Sequence, residues 1–218
     1  MILVLSLIFL AYLIGSIPTA VWIGKALYGI DIRTKGSGNS GSTNAFRVLG
    51  VKAGIAVQII DILKGVIAIS LSYCVDKNTL PSFLNDVTYP LLPLQMTLGI
   101  SAVVGHVFPI LAQFRGGKGI NTLLGVMLTI NWQIALLCLV VFFIVLWISK
   151  FVSLSSICAV FFYPIIILLF NHFAGYDYDT WFVVSGFGIF LFVLYTHRSN
   201  IRRLLTHSEN KIKIKFHG

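Results

Sequence analysis

Long apolar segments, separated by short charged ones, constrain the fold of this chain more than any other feature. Five of them are candidates for crossing a membrane: residues 3–24, 54–75, 91–112, 151–170 and 180–196. A helix needs about 20 apolar residues to cross the bilayer core, and in lipid its own hydrogen bonds satisfy the backbone. With 57% hydrophobic and 11% charged residues, the chain is too apolar for a soluble globular domain. The sequence therefore predicts an all-α integral membrane protein, with residues 1–218 as a single polytopic domain.

The distribution of charge predicts the topology. Basic residues crowd three segments, 25–52, 115–118 and 198–215, whereas acidic residues prevail in 76–86 and 177–179. By the positive-inside rule the basic segments are cytoplasmic, and this rule explains the basic excess without a nucleic-acid partner. An even number of crossings must then follow Lys118, so residues 120–149 are expected to cross twice with a turn near Asn131. This predicts seven transmembrane helices, with the N-terminus outside and the C-terminus cytoplasmic; the alternative is five, with 120–149 as one long helix.

Residues 36–47, the first polar segment, form a donor-rich stretch between apolar ones, and it reads Gly-Ser-Gly-Asn-Ser-Gly-Ser-Thr-Asn-Ala-Phe-Arg. Glycines let successive backbone N–H groups point at one atom, and Arg47 supplies a forked cation. This composition is typical of a cradle for phosphate, although the same residue types form ordinary solvated loops. The segment also fits the dinucleotide fingerprint Gly36-x-Gly38-x-x-Gly41. That fingerprint needs a soluble βαβ unit, and here membrane-length segments flank it.

Residues 105–122, the second polar segment, again combine glycines with a cation, in Gly116-Gly117-Lys118. The segment is not a Walker A loop, because Ala112 and Gly119 replace the first glycine and the Ser or Thr of that motif. Taken alone, it would indicate a tight turn with a cytoplasmic lysine.

Residues 197–203, the third polar segment, continue from the last apolar segment. His197 and Asn200 fall on one helical face at i and i+3, with Arg203 three residues further on. A basic anchor on anionic lipid headgroups is one interpretation. It does not account for His197, which can move a proton near neutral pH, or for Asn200, which can orient an oxygen atom.

Ionisable residues also occur inside or beside the apolar segments. Asp61 and Lys64, at i and i+3, are expected to form a structural pair near the site, with direct substrate contact as the alternative. His172 and Asp177 match the H-x4-D pattern of an unrelated class of glycerolipid acyltransferases, but the charge pattern places them on the outer face. The cysteines lie singly in apolar segments and predict packing residues, not a metal site: Cys74, Cys138 and Cys158.

Together the three polar segments resemble the motifs of the bacterial membrane acyl-phosphate:glycerol-3-phosphate acyltransferases, the PlsY family. The resemblance rests on Gly15-Ser16-Ile17-Pro18, Asp31-Ile32-Arg33, the first polar segment, Gly105-His106-x-Phe108-Pro109, Gly116-Gly117-Lys118-Gly119, Thr122, His197-Arg198-x-Asn200-Ile201, Arg203-Leu204 and Glu209. Order, spacing and chain length agree, so it covers essentially the whole chain. His207 departs from the family, which usually has glycine there, and this affects the expected conformation of the tail loop and not the expected reaction.

The resemblance implies transfer of a fatty acyl group from acyl phosphate to the first hydroxyl of glycerol 3-phosphate. The products would be lysophosphatidate and inorganic phosphate, in the first step of membrane phospholipid biosynthesis. It also implies a multi-pass protein of the bacterial inner or plasma membrane with a cytoplasmic active site. The expected partners are fatty acyl phosphate, glycerol 3-phosphate and the lipid bilayer. No cofactor or metal is expected, because acyl phosphate is already activated.

On this resemblance, five residues are expected to be catalytic: Ser37, Arg47, Lys118, His197 and Asn200. The expected substrate-binding residues are Gly38, Asn39, Gly41, Thr43, Asn44, His106, Gly116, Gly117 and Arg203. The cradle would hold mainly the acyl phosphate, while Arg47, Lys118, His197 and Asn200 would hold glycerol 3-phosphate. The first candidate for the base is His197, with His106 second, and a phosphate oxygen of a substrate is the alternative.

A transporter or channel for an organic phosphate is the competing class of function, because the same cations could line a pathway. Transporters more often show inverted repeats and broken helices at the bilayer midplane. Here the polar segments are expected at one face of the membrane, which favours the enzyme.

Overall fold

The computed structural model describes residues 2–76 and 88–212, and all regular structure within them is helical. The α-helices are α1 (Ile2–Gly15), α2 (Thr19–Tyr28), α3 (Ser42–Val48), α4 (Val51–Ser70), α5 (Leu92–Val107), α6 (Ile120–Ile130), α7 (Trp132–Ser149), α8 (Val152–Phe173), α9 (Thr180–Thr196) and α10 (Arg198–Leu205). They form two compact units, an N-terminal unit (Met1–Trp132) and a C-terminal unit (Gln133–Gly218). The all-α membrane architecture is confirmed, and the single domain stays a prediction.

The long helices coincide with the predicted apolar segments. Within the described residues, five are long and apolar enough to cross a membrane: Ile2–Tyr28, Val51–Cys74, Leu92–Ala112, Trp132–Ser149 and Val152–Phe173. A sixth results if α9 and α10, which are bent by 66° at their junction, count as one span. The first of these spans is interrupted between Gly15 and Thr19, where Pro18 lacks the N–H that a continuous helix would use. The count of seven crossings and the side of each terminus stay predictions.

The segment 120–149 divides into two helices. Asn131 separates α6 from α7 with extended backbone, at φ −153° and ψ 102°. The helix therefore breaks where the turn was predicted, and the alternative of one long helix is wrong, whereas two crossings stay a prediction. The 11 residues of α6 are about 16 Å long at 1.5 Å per residue. That is about half of the hydrocarbon core, in agreement with the expectation that this segment is short for a crossing.

Close backbone approaches at glycine hold the N-terminal unit together. A Cβ atom on Gly15 or Gly105 would collide with the α5 or α1 backbone, respectively, and one on Gly65 or Gly125 would collide with the α6 or α4 backbone. Small residues at such contacts let membrane helices pack tightly by dispersion forces. As a result, the end of α5 and the start of α6, which carry the second polar segment, are fixed beside α1 and α4.

The C-terminal unit is packed through aromatic side chains. Tyr163 of α8 meets Phe182 of α9 edge-on at 6.3 Å, and both are buried. After α10 the chain folds back, and the backbone N–H of Ile212 donates to the carbonyl of Lys150 at 2.8 Å. This return brings the tail against α8 and α10. His172 and Asp177, which carry the H-x4-D pattern, are both exposed.

Candidate active site

The side chain of Asn44 holds the first polar segment in its folded form. Its Nδ2 donates to the carbonyls of Ile32 and Lys35, both at 3.1 Å, and its Oδ1 accepts from the N–H of Ser37 at 2.9 Å. Asn44 is 1% exposed. Gly36 lies against it with φ 61°, so that a Cβ there would collide with Oδ1. Asn44 therefore positions the segment, and direct contact of its side chain with substrate stays a prediction.

The glycine turn of the first polar segment uses several of its N–H groups internally. The N–H of Gly38 donates to the carbonyl of Lys35 at 3.0 Å, and that of Gly41 donates to Oδ1 of Asn39 at 2.9 Å. The N–H of Ser37 donates to Asn44. These three N–H groups therefore bond within the segment, whereas the sequence suggested that they would converge on an external anion. At the start of α3 the N–H groups of Asn44 and Ala45 both donate to the carbonyl of Gly41 at 3.1 Å. The donors that can still face an anion include the hydroxyls of the exposed Ser37 and Thr43 and the N–H groups of the first two residues of α3.

Two hydrogen bonds tie the second polar segment to the first polar segment and to Arg33, which precedes it, inside the N-terminal unit. Nδ2 of Asn121 donates to Oγ of Ser42 at 2.9 Å, which brings the first turn of α6 against the first turn of α3. Nη1 of Arg33 donates to the carbonyl of Ala112 at 3.0 Å. Helix N-termini carry partial positive charge, so the meeting of two of them creates a region that favours an anion.

Asp31 fixes the arginine that makes the second of these links. Arg33 donates to Asp31 through Nε at 3.0 Å and through Nη2 at 2.7 Å, and Nζ of Lys25 lies 3.4 Å from the same carboxylate. The hydrogen bonds from Arg33 hold the pKa of Asp31 far below its usual range. Asp31 is therefore ionised throughout the pH range in which the protein would work.

His106 supports the glycine turn of the second polar segment. Its carbonyl accepts from the N–H of Gly117 at 3.1 Å, and a Cβ on Gly117 would fall on its ring. A side chain on Gly116 would also collide with the carbonyl oxygens of His106 and Val107 at the end of α5. Lys118, the next residue, is half-buried, whereas Arg47 on α3 is exposed.

Buried ionised side chains lie beside this turn. Oδ1 of Asp61 accepts from Nζ of Lys64 at 2.5 Å and from Oγ1 of Thr19 at 3.0 Å. Nζ of Lys64 also donates to the carbonyl of Ile17 at 2.5 Å. The structural pair predicted from the sequence is thus present, with Nδ1 of His106 3.7 Å from Oδ1 of Asp61.

In the C-terminal unit, His197 ends α9 and is 1% exposed. Its Nδ1 lies 2.9 Å from the carbonyl oxygen of Val193. Because a carbonyl can only accept, Nδ1 carries the hydrogen, and in the neutral ring Nε2 is an acceptor. This is the tautomer that a general base at Nε2 requires.

Glu209 accepts hydrogen bonds from two other residues of the third polar segment, Asn200 and Arg203. Its carboxylate accepts from Nδ2 of Asn200 at 2.7 Å, from Nε of Arg203 at 2.6 Å and from Oγ of Ser153 at 3.0 Å. Burial raises the pKa of Glu209, but the hydrogen bonds from Asn200, Arg203 and Ser153, with the charge of Arg203, hold it below the usual value. The amide oxygen of Asn200 is buried and makes no hydrogen bond within the described chain.

Several residues that organise the polar segments have no role that could be predicted from the sequence. Asp31, Arg33 and Asn121 join polar segments, and Glu209 orients two expected site residues. The alternating charges at 31 and 33 were a usable signal. No local pattern identifies the contact of Asn121 with Ser42 or that of Glu209 with Ser153, because these partners lie 79 and 56 positions apart. Among the described residues, no group of three His, Cys, Asp or Glu side chains could hold a metal ion.

Comparison with known proteins decides the family. A family model described as glycerol-3-phosphate acyltransferase matches residues 5–207. The chain belongs to this acyltransferase family. The family is that of PlsY, and its members act in phospholipid biosynthesis, so the acyltransferase interpretation holds over that of a transporter.

Curated and solved relatives resemble the acyltransferase over nearly its whole length. The glycerol-3-phosphate acyltransferase of Bacillus subtilis (strain 168) is 44% identical and covers 97% of this chain and 98% of its own. That of Chlorobium phaeobacteroides (strain DSM 266) is 40% identical over 100% of both. A crystal structure of PlsY, an integral membrane glycerol 3-phosphate acyltransferase, in its glycerol 3-phosphate form matches with a TM-score of 0.78, 34% identity and 96% coverage of both chains. Its lysophosphatidic acid form matches with a TM-score of 0.76 and 33% identity, over 96% of this chain and 95% of that one.

Proposed function

We propose that this acyltransferase moves a fatty acyl group from acyl phosphate to the first hydroxyl of glycerol 3-phosphate, releasing lysophosphatidate and inorganic phosphate. The observation that carries the proposal is the bond from Asn121 to Ser42, which joins the N-terminal turns of α6 and α3 beside the glycine turns. Two substrates that both carry phosphate suit such an anion-binding region. The solved relatives, described in a glycerol 3-phosphate form and a lysophosphatidic acid form, support the same acceptor and product.

The chemistry needs no covalent enzyme intermediate. The first hydroxyl of glycerol 3-phosphate attacks the acyl carbonyl carbon, the bond from that carbon to the phosphate oxygen breaks, and inorganic phosphate leaves. The hydroxyl proton passes to a base. Donors aimed at the leaving phosphate stabilise the charge that develops on it, while cations on the other phosphate aim the hydroxyl at the carbonyl.

The polar residues divide between the two substrates. The hydroxyls of Ser37 and Thr43 and the first turn of α3 hold the acyl phosphate. Arg47 and Lys118 hold the phosphate of glycerol 3-phosphate, and Asn200 orients the acceptor. Nε2 of His197 takes the proton, with a phosphate oxygen of a substrate as the alternative base. Asn44 and His106 are buried and support the glycine turns of the first and second polar segments, respectively.

The same proposal covers the membrane arrangement. We place seven crossings in a bacterial plasma membrane, counting Ile2–Tyr28 as one and α6 as another, with the N-terminus outside and the active site cytoplasmic. The break at Asn131 supports two crossings between residues 120 and 149. Acyl phosphate and glycerol 3-phosphate then reach the site from the leaflet and the cytoplasm, respectively.

The test is product formation by the purified protein in lipid nanodiscs, with palmitoyl phosphate, glycerol 3-phosphate and a chelator. Equal amounts of lysophosphatidate and phosphate are expected. Arg47→Ala and Lys118→Ala should each lower kcat/KM for glycerol 3-phosphate by about 10- to 100-fold, the range for losing a hydrogen bond to a charged group. The control is Lys52→Ala, which replaces an exposed lysine at the start of α4. This variant should keep full activity. Release of phosphate without lysophosphatidate would contradict the proposed acceptor.

A further inference from the structure

A network of ionised and polar side chains lies buried among the first membrane helices of the N-terminal unit. Asp61 is 1% exposed, Lys64 is 3% exposed and His106 is 7% exposed. The carboxylate of Asp61 meets Lys64 at 2.5 Å, Thr19 at 3.0 Å and the imidazole of His106 at 3.7 Å. Charges inside a membrane segment are costly and usually mark function. The substrate contact expected for His106 does not by itself explain why Asp61 and Lys64 are buried beside it.

One end of the network closes the break in the first span. Lys64 donates to the carbonyl of Ile17 at 2.5 Å, and Ile17 lies between α1 and α2. Pro18 offers no N–H with which to continue the helix. The carbonyl of Ile17 accepts from the N–H of Thr19 at 3.0 Å, and Lys64 adds a second, charged donor to it. Thr19, the first residue of α2, donates to Asp61. The ion pair thus makes hydrogen bonds to both sides of the break.

The other end of the network reaches the second polar segment. The imidazole of His106 faces Asp61 through Nδ1, and the Nε2 edge of the same ring packs against Gly117, where any Cβ would fall on it. The carbonyl of His106 also accepts from the N–H of Gly117. Contacts therefore run without interruption from Lys64 and Asp61, through the ring of His106, to the residue next to Lys118.

We propose that Asp61 and Lys64 are positioning residues for acyl transfer: through His106 they hold the Gly116–Lys118 turn in the geometry in which Lys118 binds the acceptor phosphate. The proposal rests on the role given to Lys118 above. It also makes His106 a support and not a base, because Gly117 covers its Nε2 edge. An ion pair that served the break alone would need no contact with His106.

The first test replaces the pair by apolar residues of similar size, in Asp61→Leu/Lys64→Met. Exchanging a buried ion pair as a unit often preserves stability, whereas removing one partner leaves an unpaired charge. We expect thermal unfolding close to that of the wild type, together with a 10- to 100-fold lower kcat/KM for glycerol 3-phosphate, about the effect of misplacing a binding group by 1 Å. KM for palmitoyl phosphate should change little. A stable double variant with full activity would overturn the proposal.

Two further variants keep the test decisive if the double variant does not fold. His106→Gln leaves the ion pair intact but removes the ring from Gly117, and it should reproduce the same kinetic loss; wild-type kinetics in this variant would break the proposed path. Ser101→Ala, which removes a hydrogen bond of 2.9 Å to the carbonyl of Ile8 elsewhere in α5, is the matched control and should leave the kinetics unchanged.

Trypsin gives a readout that does not depend on activity. Cleavage after Arg115 and Lys118 reports on the turn, and cleavage after the exposed Arg202 is the internal reference, with both followed by mass spectrometry in nanodiscs. We expect faster cleavage of the turn in Asp61→Leu/Lys64→Met and in His106→Gln, with the reference unchanged. If the wild type forms no lysophosphatidate, the proposed function fails, but the cleavage rates still decide the positioning role: equal rates in wild type and variants refute it.

Discussion

Replacing Asn44 should destabilise the protein by an amount that its hydrogen bonds predict. Its side chain makes three of them and is 1% exposed. At about 1 kcal/mol of net stability each, Asn44→Ala should lose about 3 kcal/mol. Alanine returns about 0.5 kcal/mol through its higher helix propensity in α3, which leaves a loss of about 2.5 kcal/mol. Asn44→Asp should lose at least as much, because a carboxyl oxygen would then face the two carbonyls to which Nδ2 donates.

The measurement is unfolding of the purified protein in mixed micelles by increasing SDS, followed by circular dichroism. Asn39→Ala is the matched control, because Asn39 lies in the same segment but accepts a single described bond, from the N–H of Gly41 at 2.9 Å. It should lose about 1 kcal/mol. An Asn44→Ala variant no less stable than Asn39→Ala would refute the argument that Asn44 holds the segment. Acyl transfer should fall in both Asn44 variants, because the donors for the acyl phosphate are then displaced.

Three other substitutions test separate parts of the molecule. The pKa of Glu209 in the folded protein lies below its ordinary value of 4.5. Its contribution to stability is therefore present above pH 4.5 and is lost as the pH falls through the folded pKa. Between pH 6 and pH 3, the free energy of unfolding should decline more steeply in the wild type than in Glu209→Gln. His197→Ala should lower kcat by about 100- to 10,000-fold if Nε2 is the base, and a loss confined to KM for glycerol 3-phosphate would disprove that role. Gly117→Ala should lower the unfolding temperature, since its Cβ would strike the His106 ring, whereas Gly188→Ala, with no atom within 4 Å of its Cβ, should not.

The membrane helices could be predicted from the sequence because their formation depends on local composition. A run of about 20 apolar residues has few alternatives to a helix in lipid. Four of the candidate segments match described helices: 54–75, 91–112, 151–170 and 180–196. The break at Asn131 could also be predicted, although by a different route, since only the balance of charge between Lys118 and the C-terminal tail requires a turn there. The interruption of the first span was not predicted. Its signal was Pro18 inside an otherwise apolar run.

The division of labour within the polar segments could not be predicted. Composition shows that residues 36–47 are rich in donors, but not which donors the fold itself uses. The N–H groups of Ser37, Gly38 and Gly41 are consumed by acceptors that depend on the conformation of the turn. The same holds for Glu209, whose donors include Ser153, 56 positions away. Such contacts depend on tertiary packing, which a local sequence pattern does not reveal.

In each unit one side chain with three hydrogen bonds holds a polar segment in place. The amide of Asn44 does so for the first polar segment, in the N-terminal unit. The carboxylate of Glu209 does so for the third, in the C-terminal unit. These side chains are largely removed from solvent, and their loss leaves buried polar groups without partners. Ser37 and Arg47, in contrast, are exposed, so their substitution removes nothing that the fold requires. Substitution of the exposed pair should therefore reduce turnover at unchanged stability, whereas substitution of the buried pair should reduce both. An exposed residue whose loss lowered stability and turnover in proportion would belong to the scaffold instead, and its assignment to substrate binding would be wrong.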